Sequence, residues 1–296
     1  MSRVIDSKIA LGTVQFGLSY GVANNSGQIS LNESKDIIHL ARQFGVNKLD
    51  TAIAYGNSED LLGKIGMDSW NIVTKLPNIP SEIKDLKRWV ADQIQGSLNR
   101  LKVSSLYAVM LHTTLPLSSR WAKEYWDILQ NLKSQGIIKK IGYSIYDPSE
   151  LDNHYSKFHP DIIQAPYNLI DNRLKTSGWL QKLSDNLVET HVRSIFLQGL
   201  LLMGRGQRPP YFKQWDNLWC DWHNWLESEN LSALEATLWF VLQETMIDNI
   251  VVGVDSVNQL QNILDVSNNY NKTIEVDFSN LDERLINPSK WEALSN

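Results

Sequence analysis

The stretch VNKLDTAIAYGNSEDLLGKIGMDSWNIVTKL, residues 46–76, contains two short runs of the kind that form β-strands, VNKLDTA (46–52) and NIVTKL (71–76). Their aliphatic residues do not alternate strictly with polar ones, which is typical of parallel strands that helices cover. We therefore interpret both runs as strands of a parallel sheet, and the same pattern continues in both directions along the chain.

Six further runs of this kind complete a set of eight. Between the runs, apolar residues recur at helical spacing within residues 32–44, 84–101, 121–135, 174–187, 232–245 and 256–264. Strand and helix alternating eight times predict an α/β fold, a single (β/α)8 TIM barrel of parallel strands over residues 1–296. The six further runs are IALGT (9–13), LYAVMLH (106–112), IKKIGYSI (138–145), DIIQAP (161–166), HVRSIFL (191–197) and NIVVGV (249–254).

An open, doubly wound sheet is the competing arrangement of alternating strands and helices. A dinucleotide-binding sheet of that type carries a G-x-G-x-x-G motif after its first strand, and none follows IALGT. The nearest string, Gly204-Arg205-Gly206, lacks the third glycine and the start of a helix. The barrel is therefore the prediction, with a long aromatic-rich loop insertion at residues 203–231, before the last helix–strand unit.

Composition argues against several classes of partner. The 296 residues are 43% hydrophobic and carry a net charge of −5 without a Lys/Arg block, so we expect neither nucleic acid nor an anionic membrane as partner. The single cysteine, Cys220, allows no internal disulfide, which favours a reducing compartment. Without a signal-peptide pattern at the N-terminus or a long apolar run, the expectation is a cytoplasmic protein.

Ionisable residues lie at the ends of three successive predicted strands. Asp50 is near the end of the second run and Tyr55 follows it, Lys75 lies in the third run, and His112 ends the fourth. An ionisable side chain in an apolar strand costs free energy unless it is paired, and active sites of such barrels lie at the carboxyl ends of the strands. We predict that the four form a catalytic group; alternatively, they are a buried ion pair and two packing residues.

These four residue types suit proton transfer to a carbonyl oxygen. A lysine ammonium favours the phenolate of a neighbouring tyrosine and lowers its pKa from about 10, while Asp50 would keep Lys75 charged. His112 would orient the carbonyl oxygen, which makes Tyr55 the general acid of a reduction. The hydride must come from a cofactor. No His-x-His or carboxylate cluster lies on the strand ends, so we expect no metal and no metal-dependent hydrolase.

The sequence LDTAIAYGNSEDLLGK (49–64) resembles the signature of the aldo/keto reductase family, in which Asp-Thr-Ala precedes Tyr-Gly and then a glutamate. Lys75 and His112 complete that family's Asp-Tyr-Lys-His tetrad in order, and the similarity extends from IALGTVQFG (9–17) to LQNILDV (260–266). The resemblance implies an oxidoreductase that reduces an aldehyde or ketone to an alcohol with NAD(P)H. By analogy at the level of the family, the substrate is a sugar or sugar derivative.

The resemblance also implies a set of cofactor-binding residues. It places Gly12, Thr13 and Asp50 near the nicotinamide and its ribose, and Ser144 and Gln164 at the carboxamide. Alternatively, Ser144 and Gln164 are polar groups that only satisfy backbone at the strand ends.

Two neighbouring positions depart from the family pattern. Ile145 replaces the usual asparagine after the serine, so one hydrogen bond is lost or comes from elsewhere. Before Ser194, many relatives have an aromatic residue that stacks on the nicotinamide, whereas this chain has Arg193. Either the guanidinium replaces that ring or Phe196 serves instead.

The last strand and its helix determine the choice between NADP(H) and NAD(H). The resemblance implies NADP(H), but Gly253, Asp255 and Gln259 stand where cations that hold the 2′-phosphate are expected. A carboxylate repels a nearby phosphate, so NAD(H) is the alternative. Backbone N–H groups around Ser256 can still bind cofactor phosphate oxygens; alternatively, Ser256 is only a helix N-cap.

Substrate contacts are expected from the loop after the first strand. Gln15, Phe16 and Tyr20 lie there, and they would surround a carbonyl compound held by Tyr55 and His112.

In the insertion, Trp215, Trp219 and Trp222 share one face of a helix, which either packs on the barrel or lines the substrate entrance. Arg205, Arg208 and Lys213 of the same insertion would meet an acidic group or remain solvated.

A nicotinamide-nucleotide-binding regulatory protein with little turnover is the second hypothesis for function. Its support is the altered cofactor positions at Ile145 and Arg193, and the intact tetrad argues against it. The sequence contains no indication of oligomeric state.

Overall fold

The eight strands pair in the order of the chain and β8 pairs with β1, which closes an all-parallel barrel and confirms the predicted fold. The computed structural model describes residues 7–24 and 27–291. Closure aligns Ile9 with Ile250 and Gly12 with Gly253. The strands are β1 Ile9–Gly12, β2 Lys48–Asp50, β3 Asn71–Leu76, β4 Leu106–Leu111, β5 Ile138–Ser144, β6 Ile162–Pro166, β7 Glu189–Arg193 and β8 Asn249–Gly253.

Helices surround the barrel, and polar caps start several of them. Ser30, Asp85, Ser232 and Ser256 each accept a hydrogen bond from a backbone N–H of the first turn, which satisfies a donor that the helix itself leaves free. None of the helices in the described residues is long and apolar enough to cross a membrane. The helices are α1 Val14–Gly17, α2 Leu31–Gln43, α3 Ser58–Ile65, α4 Leu86–Leu101, α5 Ala122–Ser134, α6 Ser149–His154, α7 Arg173–Thr176, α8 Trp179–Asp185, α9 Asp216–Glu229, α10 Ala233–Leu242, α11 Val257–Asn268 and α12 Glu283–Ile286.

Apolar side chains fill the barrel and the layer between strands and helices. A small cluster inside the barrel consists of Val73, Ala108, Met110 and Ile162, and the larger core lies between sheet and helices. Each fully buried aliphatic side chain contributes about 1.5–3 kcal/mol. The strands therefore form a rigid frame, and polar residues at their carboxyl ends are held in fixed positions.

Two predicted elements differ from the structure. The seventh strand was expected at residues 191–197 but spans Glu189–Arg193, because Ser194 has a φ of 58° and turns the chain out of the sheet. The expected helix at 174–187 divides into α7 and α8 around Gly178, whose φ is 81°.

The insertion at 203–231 is not a loop throughout, since it contains a 3-10 helix at Pro210–Trp215 and then α9. Trp219 and Trp222 of α9 are buried, with 4% and 1% of their surface exposed. Their indole N–H groups donate to the carbonyls of Phe212 and Leu201, respectively. This face of the insertion therefore packs on the protein, which is the simpler of the two interpretations.

A polar cluster closes the opposite, amino end of the barrel around the buried carboxylate of Glu189. The Tyr107 hydroxyl donates to it at 2.6 Å, His191 Nε2 lies 2.7 Å away, and Lys140 and Lys48 form salt bridges with it. Burial alone would raise the pKa of Glu189, but the hydrogen bonds and the charges around it hold that pKa well below its ordinary value. We call these five residues the Glu189 cluster.

Candidate active site

A cavity of about 360 Å³ opens at the carboxyl end of the barrel, within the size range of small-molecule sites. It lies over β1, β2 and β6 to β8 and is bordered by the loops that follow them. Ten of the residues predicted from the sequence line it: Gly12, Thr13, Gln15, Tyr20, Asp50, Tyr55, Gln164, Arg193, Ser194 and Gly253.

An ion pair lies at the base of this cavity. Asp50 ends β2 and Lys75 is the next-to-last residue of β3, so both side chains reach the carboxyl end of the barrel. Lys75 Nζ is 2.7 and 2.6 Å from the two carboxylate oxygens of Asp50, and it also donates to the carbonyl of Thr51. Gln164 donates to the same carboxylate at 2.7 Å. Burial lowers the pKa of Lys75, and the Asp50 carboxylate opposes that shift.

The Tyr55 ring lies beside this pair. Lys75 Nζ is 5.3 Å from the ring centroid, and the His112 ring meets Tyr55 edge to face at 5.7 Å. Within residues 7–24 and 27–291, no hydrogen bond engages the Tyr55 hydroxyl. The tyrosine therefore offers its hydroxyl to the cavity that it lines.

The pKa of Tyr55 does not shift in the expected direction. Burial raises it above its ordinary value, and the Asp50 carboxylate raises it further. The expectation that Lys75 lowers it omitted the carboxylate, which neutralises the ammonium at contact distance.

His112 is uncharged at neutral pH in this arrangement. Burial and then the neighbouring Lys75 ammonium lower the pKa of His112 to about 4. A neutral imidazole carries one N–H, so the side chain can donate a hydrogen bond to an oxygen in the cavity. It does so without adding a charge to the site.

Two glycines determine where Tyr55 lies. A Cβ atom on Gly17 would fall 1.7 Å from the Tyr55 carbonyl oxygen, and one on Gly56 would fall 2.4 Å from the Gly17 carbonyl oxygen. Gly56 also has a φ of 55°, in the left-handed region that glycine tolerates. The Tyr55 loop thus packs directly on the backbone of α1, and Ser58 fixes it there with a hydrogen bond to the Thr13 carbonyl.

Glu59, the glutamate of the family signature, has a structural role. Glu59 is 2% exposed and accepts hydrogen bonds from Thr74, Ser97 and Arg100. It therefore joins α3 to β3 and α4 and stabilises the helix that follows Tyr55.

Five predicted residues are not among those that line the cavity. Lys75 and His112 lie beside Tyr55, as described above, and the other three lie elsewhere. Phe16 is fully buried in the larger core, so the expectation that it forms a pocket wall is wrong. Ser144 is 2% exposed on β5, next to Gln164 in register. Ser256 caps α11 by accepting from the N–H of Gln259 at 3.2 Å, which is the alternative role considered for it.

Arg193 is held at the end of β7. Its guanidinium lies over the Tyr146 ring at 4.4 Å and donates to the Ile145 carbonyl and to Ser194 Oγ. In the described part of the chain, no carboxylate lies within salt-bridge distance of it. A positive charge without a counter-ion therefore borders the cavity.

The loop after β1 borders the cavity, as expected for Gln15 and Tyr20, and its later residues make contacts across the entrance that the sequence does not predict. Asn24 donates to Asp255 at 3.0 Å, Gln198 donates to the Tyr20 hydroxyl at 3.1 Å, and Ala23 lies against Gly199. Polar loop residues are too common for this to have a sequence signal. The cavity is consequently bounded by three loops from non-adjacent parts of the sequence.

The residues present suit a nicotinamide cofactor. Gln15 Oε1 is buried without a hydrogen-bond partner, so an amide acceptor is available at the cavity. A Cβ on Gly253 would lie 2.6 Å from the Gln15 amide, so a larger residue at this position would displace the Gln15 side chain. By contrast, the described residues contain no group of three or more His, Cys, Asp or Glu side chains that could hold a metal ion.

A family model described as "Aldo/keto reductase family" matches residues 8–284. The chain belongs to the aldo/keto reductase family. Carbonyl reduction with NAD(P)H is the general activity of that family, so the expectation of an oxidoreductase is confirmed at this level.

Individual relatives of this aldo/keto reductase are distant. "NADH-specific methylglyoxal reductase" of Escherichia coli (strain K12) is 27% identical over 216 residues, covering 66% of this chain and 65% of the relative. "Uncharacterized oxidoreductase YqkF" of Bacillus subtilis (strain 168) is 23% identical over 282 residues, covering 88% and 91%. The holo form of aldo-keto reductase AKR11C1 from Bacillus halodurans has the same fold, with a TM-score of 0.71 at 19% identity and coverage of 92% and 89%.

Proposed function

We propose that this chain, working as a single barrel domain, reduces the carbonyl group of a small aldehyde or ketone with Tyr55 as the proton donor. The observation that carries the proposal is the Tyr55 hydroxyl, which borders the cavity beside the Lys75–Asp50 pair and has no partner among the described residues.

Each member of the tetrad has one role. Neutral His112 donates a hydrogen bond that orients the carbonyl oxygen. The carbonyl carbon accepts a hydride while its oxygen takes the Tyr55 proton, and Lys75 stabilises the phenolate that remains. Asp50 keeps the ammonium charged and in place. A bound NAD(P)H supplies the hydride.

The cofactor would lie along Gly12, Thr13, Ser194 and Gly253, with Gln164 and Gln15 as polar contacts. Asp255 and Gln259 line the part of the cavity next to β8, and a carboxylate there disfavours a 2′-phosphate. The Escherichia coli relative is named as NADH-specific. We therefore favour NADH over the NADP(H) that the family resemblance implied.

Rapid mixing of the protein with NADH or NADPH, followed by a panel of aldehydes and ketones, tests this function. We expect loss of nicotinamide absorbance with at least one small carbonyl compound, methylglyoxal included, and tighter binding of NADH. Protein that binds neither nucleotide would contradict the proposal.

A binding protein with little turnover is the second candidate. The raised pKa of Tyr55 favours it, because a less acidic phenol is a slower proton donor. Nucleotide binding without oxidation by any carbonyl compound in the panel would support this alternative.

Cys220 is a free thiol, which agrees with the cytoplasm as the site of action in either case.

A further inference from the structure

We propose that Arg193 makes the site distinguish the two redox states of the cofactor by charge, binding the reduced nicotinamide more tightly than the oxidised one. The inference rests on the proposed function in one respect, that the cavity takes a nicotinamide nucleotide. It concerns a property that the tetrad does not determine.

The charges at the base of the cavity leave Arg193 uncompensated. Lys75 and Asp50 contact each other and cancel, and His112 is neutral at pH 7. No carboxylate of residues 7–24 or 27–291 forms a salt bridge with Arg193. The reacting end of the site therefore carries a net positive charge when Tyr55 is protonated.

The guanidinium is also fixed in position. Tyr146 supports one face of it at 4.4 Å, and the Ile145 carbonyl accepts a hydrogen bond from its edge at 3.1 Å. The guanidinium is half-buried, and its charge acts to lower the pKa of Tyr55, of Lys75 and of His112. Because the group is held at both face and edge, it has little freedom to turn away from another cation in the cavity.

The two redox states of nicotinamide differ by one charge. The reduced ring is neutral and the oxidised ring is a cation, so a fixed guanidinium in the same cavity repels only the oxidised form. Two unit charges several ångströms apart at a partly exposed site change a binding constant about tenfold. For a two-electron couple, this raises the reduction potential of the bound cofactor by about 30 mV.

This preference affects cofactor turnover. A site that disfavours the oxidised ring releases it more readily after each reduction and is less inhibited by it. The bound reduced cofactor becomes a slightly weaker hydride donor at the same time.

Dissociation constants for NADH, NAD⁺ and ADP-ribose, measured by tryptophan fluorescence, test the inference. In the parent protein, NADH should bind about tenfold more tightly than NAD⁺. Arg193→Met removes the charge and should bring the two constants close together, whereas Arg193→Lys keeps the charge and should preserve most of the ratio. ADP-ribose lacks the nicotinamide, and its affinity should change less than about twofold in all variants.

Arg193→Gln is a second neutral variant, which retains a donor for the Ile145 carbonyl in case Arg193→Met fails to fold. An unchanged NADH/NAD⁺ ratio in a folded neutral variant would overturn the inference, as would a parallel loss of ADP-ribose affinity. Binding of neither nucleotide would overturn the proposed function as well. An Arg193-dependent ratio without turnover would support the inference while contradicting catalysis.

Discussion

The two ends of the barrel carry the same kinds of side chain with different consequences. The carboxyl end has Asp50, Tyr55, Lys75 and His112, and the amino end has Glu189, Tyr107, Lys140 and His191. In the Glu189 cluster the tyrosine hydroxyl donates to the carboxylate, so its proton is used in a structural hydrogen bond. At the carboxyl end, Lys75 donates hydrogen bonds to both oxygens of the Asp50 carboxylate, and Tyr55 lines the cavity. The two groups therefore differ in whether the tyrosine hydroxyl already donates a hydrogen bond to a carboxylate, and not in the types of residue that they contain.

The sharpest test compares the two tyrosines. Tyr55→Phe should lower the rate of carbonyl reduction by about 10²- to 10⁴-fold, because it removes the general acid. It should leave NADH affinity nearly unchanged. Tyr107→Phe should leave the rate intact and reduce the free energy of unfolding by about 1–2 kcal/mol, since a hydrogen bond to a charged group is lost. Steady-state kinetics and urea unfolding measure both, and equal activity of the two variants would remove Tyr55 from the mechanism.

The two lysines offer the next comparison. Lys75→Met leaves the Asp50 carboxylate buried without its cation, so we expect loss of turnover and destabilisation by about 3–5 kcal/mol. Lys140 is one-third exposed, and Glu189 retains three other partners. Lys140→Met should therefore cost less than about 1 kcal/mol and spare activity. A Lys75→Met protein that is as active as Lys140→Met would contradict the comparison.

Acid unfolding tests the carboxylate of the Glu189 cluster. Its pKa is lower in the folded than in the unfolded state, so its stabilising effect is present above a pH of about 4.5 and is lost as pH falls below that value. Glu189→Gln should remove this contribution to the pH dependence of stability. It should also lower the free energy of unfolding at neutral pH by about 2–3 kcal/mol. Denaturant unfolding between about pH 3 and 7 measures it. If the free energy of unfolding falls equally with pH in the parent protein and in Glu189→Gln, other groups cause the loss of stability in acid.

The smallest effect concerns His112. With its pKa lowered to about 4, the ring stays neutral through the usual range of histidine titration. The pH profile of kcat/KM should therefore show no inflection near about 6.5 that belongs to His112. An inflection there that disappears in His112→Gln would mean that the histidine titrates normally and is not shielded by burial and Lys75.

The sequence was sufficient for the barrel and for ten of the residues that line its cavity. Apolar runs predict the eight strands, and helical spacing predicts helices between them. Polar residues at the strand ends indicated Asp50 and Lys75, whereas Gln164 was implied by the resemblance to the family. The end of the seventh strand was wrong because Ser194 adopts a left-handed conformation that its residue type does not signal.

Other features could not be predicted because they depend on contacts between distant segments. Phe16 follows a strand like its neighbour Gln15, yet it turns into the core. The Asn24–Asp255 hydrogen bond joins residues at opposite ends of the sequence. The Glu189 cluster forms from strand starts, where charged residues are ordinarily solvated, and only barrel closure brings them together.

The glycine contact beneath Tyr55 restricts how this enzyme can be redesigned. Gly17 and Gly56 meet backbone to backbone, and no side chain lies between them to be enlarged or trimmed. A mutational library that aims at new substrates can vary Tyr20 and Gln198 at the entrance, where the two side chains line the cavity and hydrogen-bond to each other. Any change at the two glycines instead displaces Tyr55 itself, so almost every such variant should be inactive whatever substrate is selected.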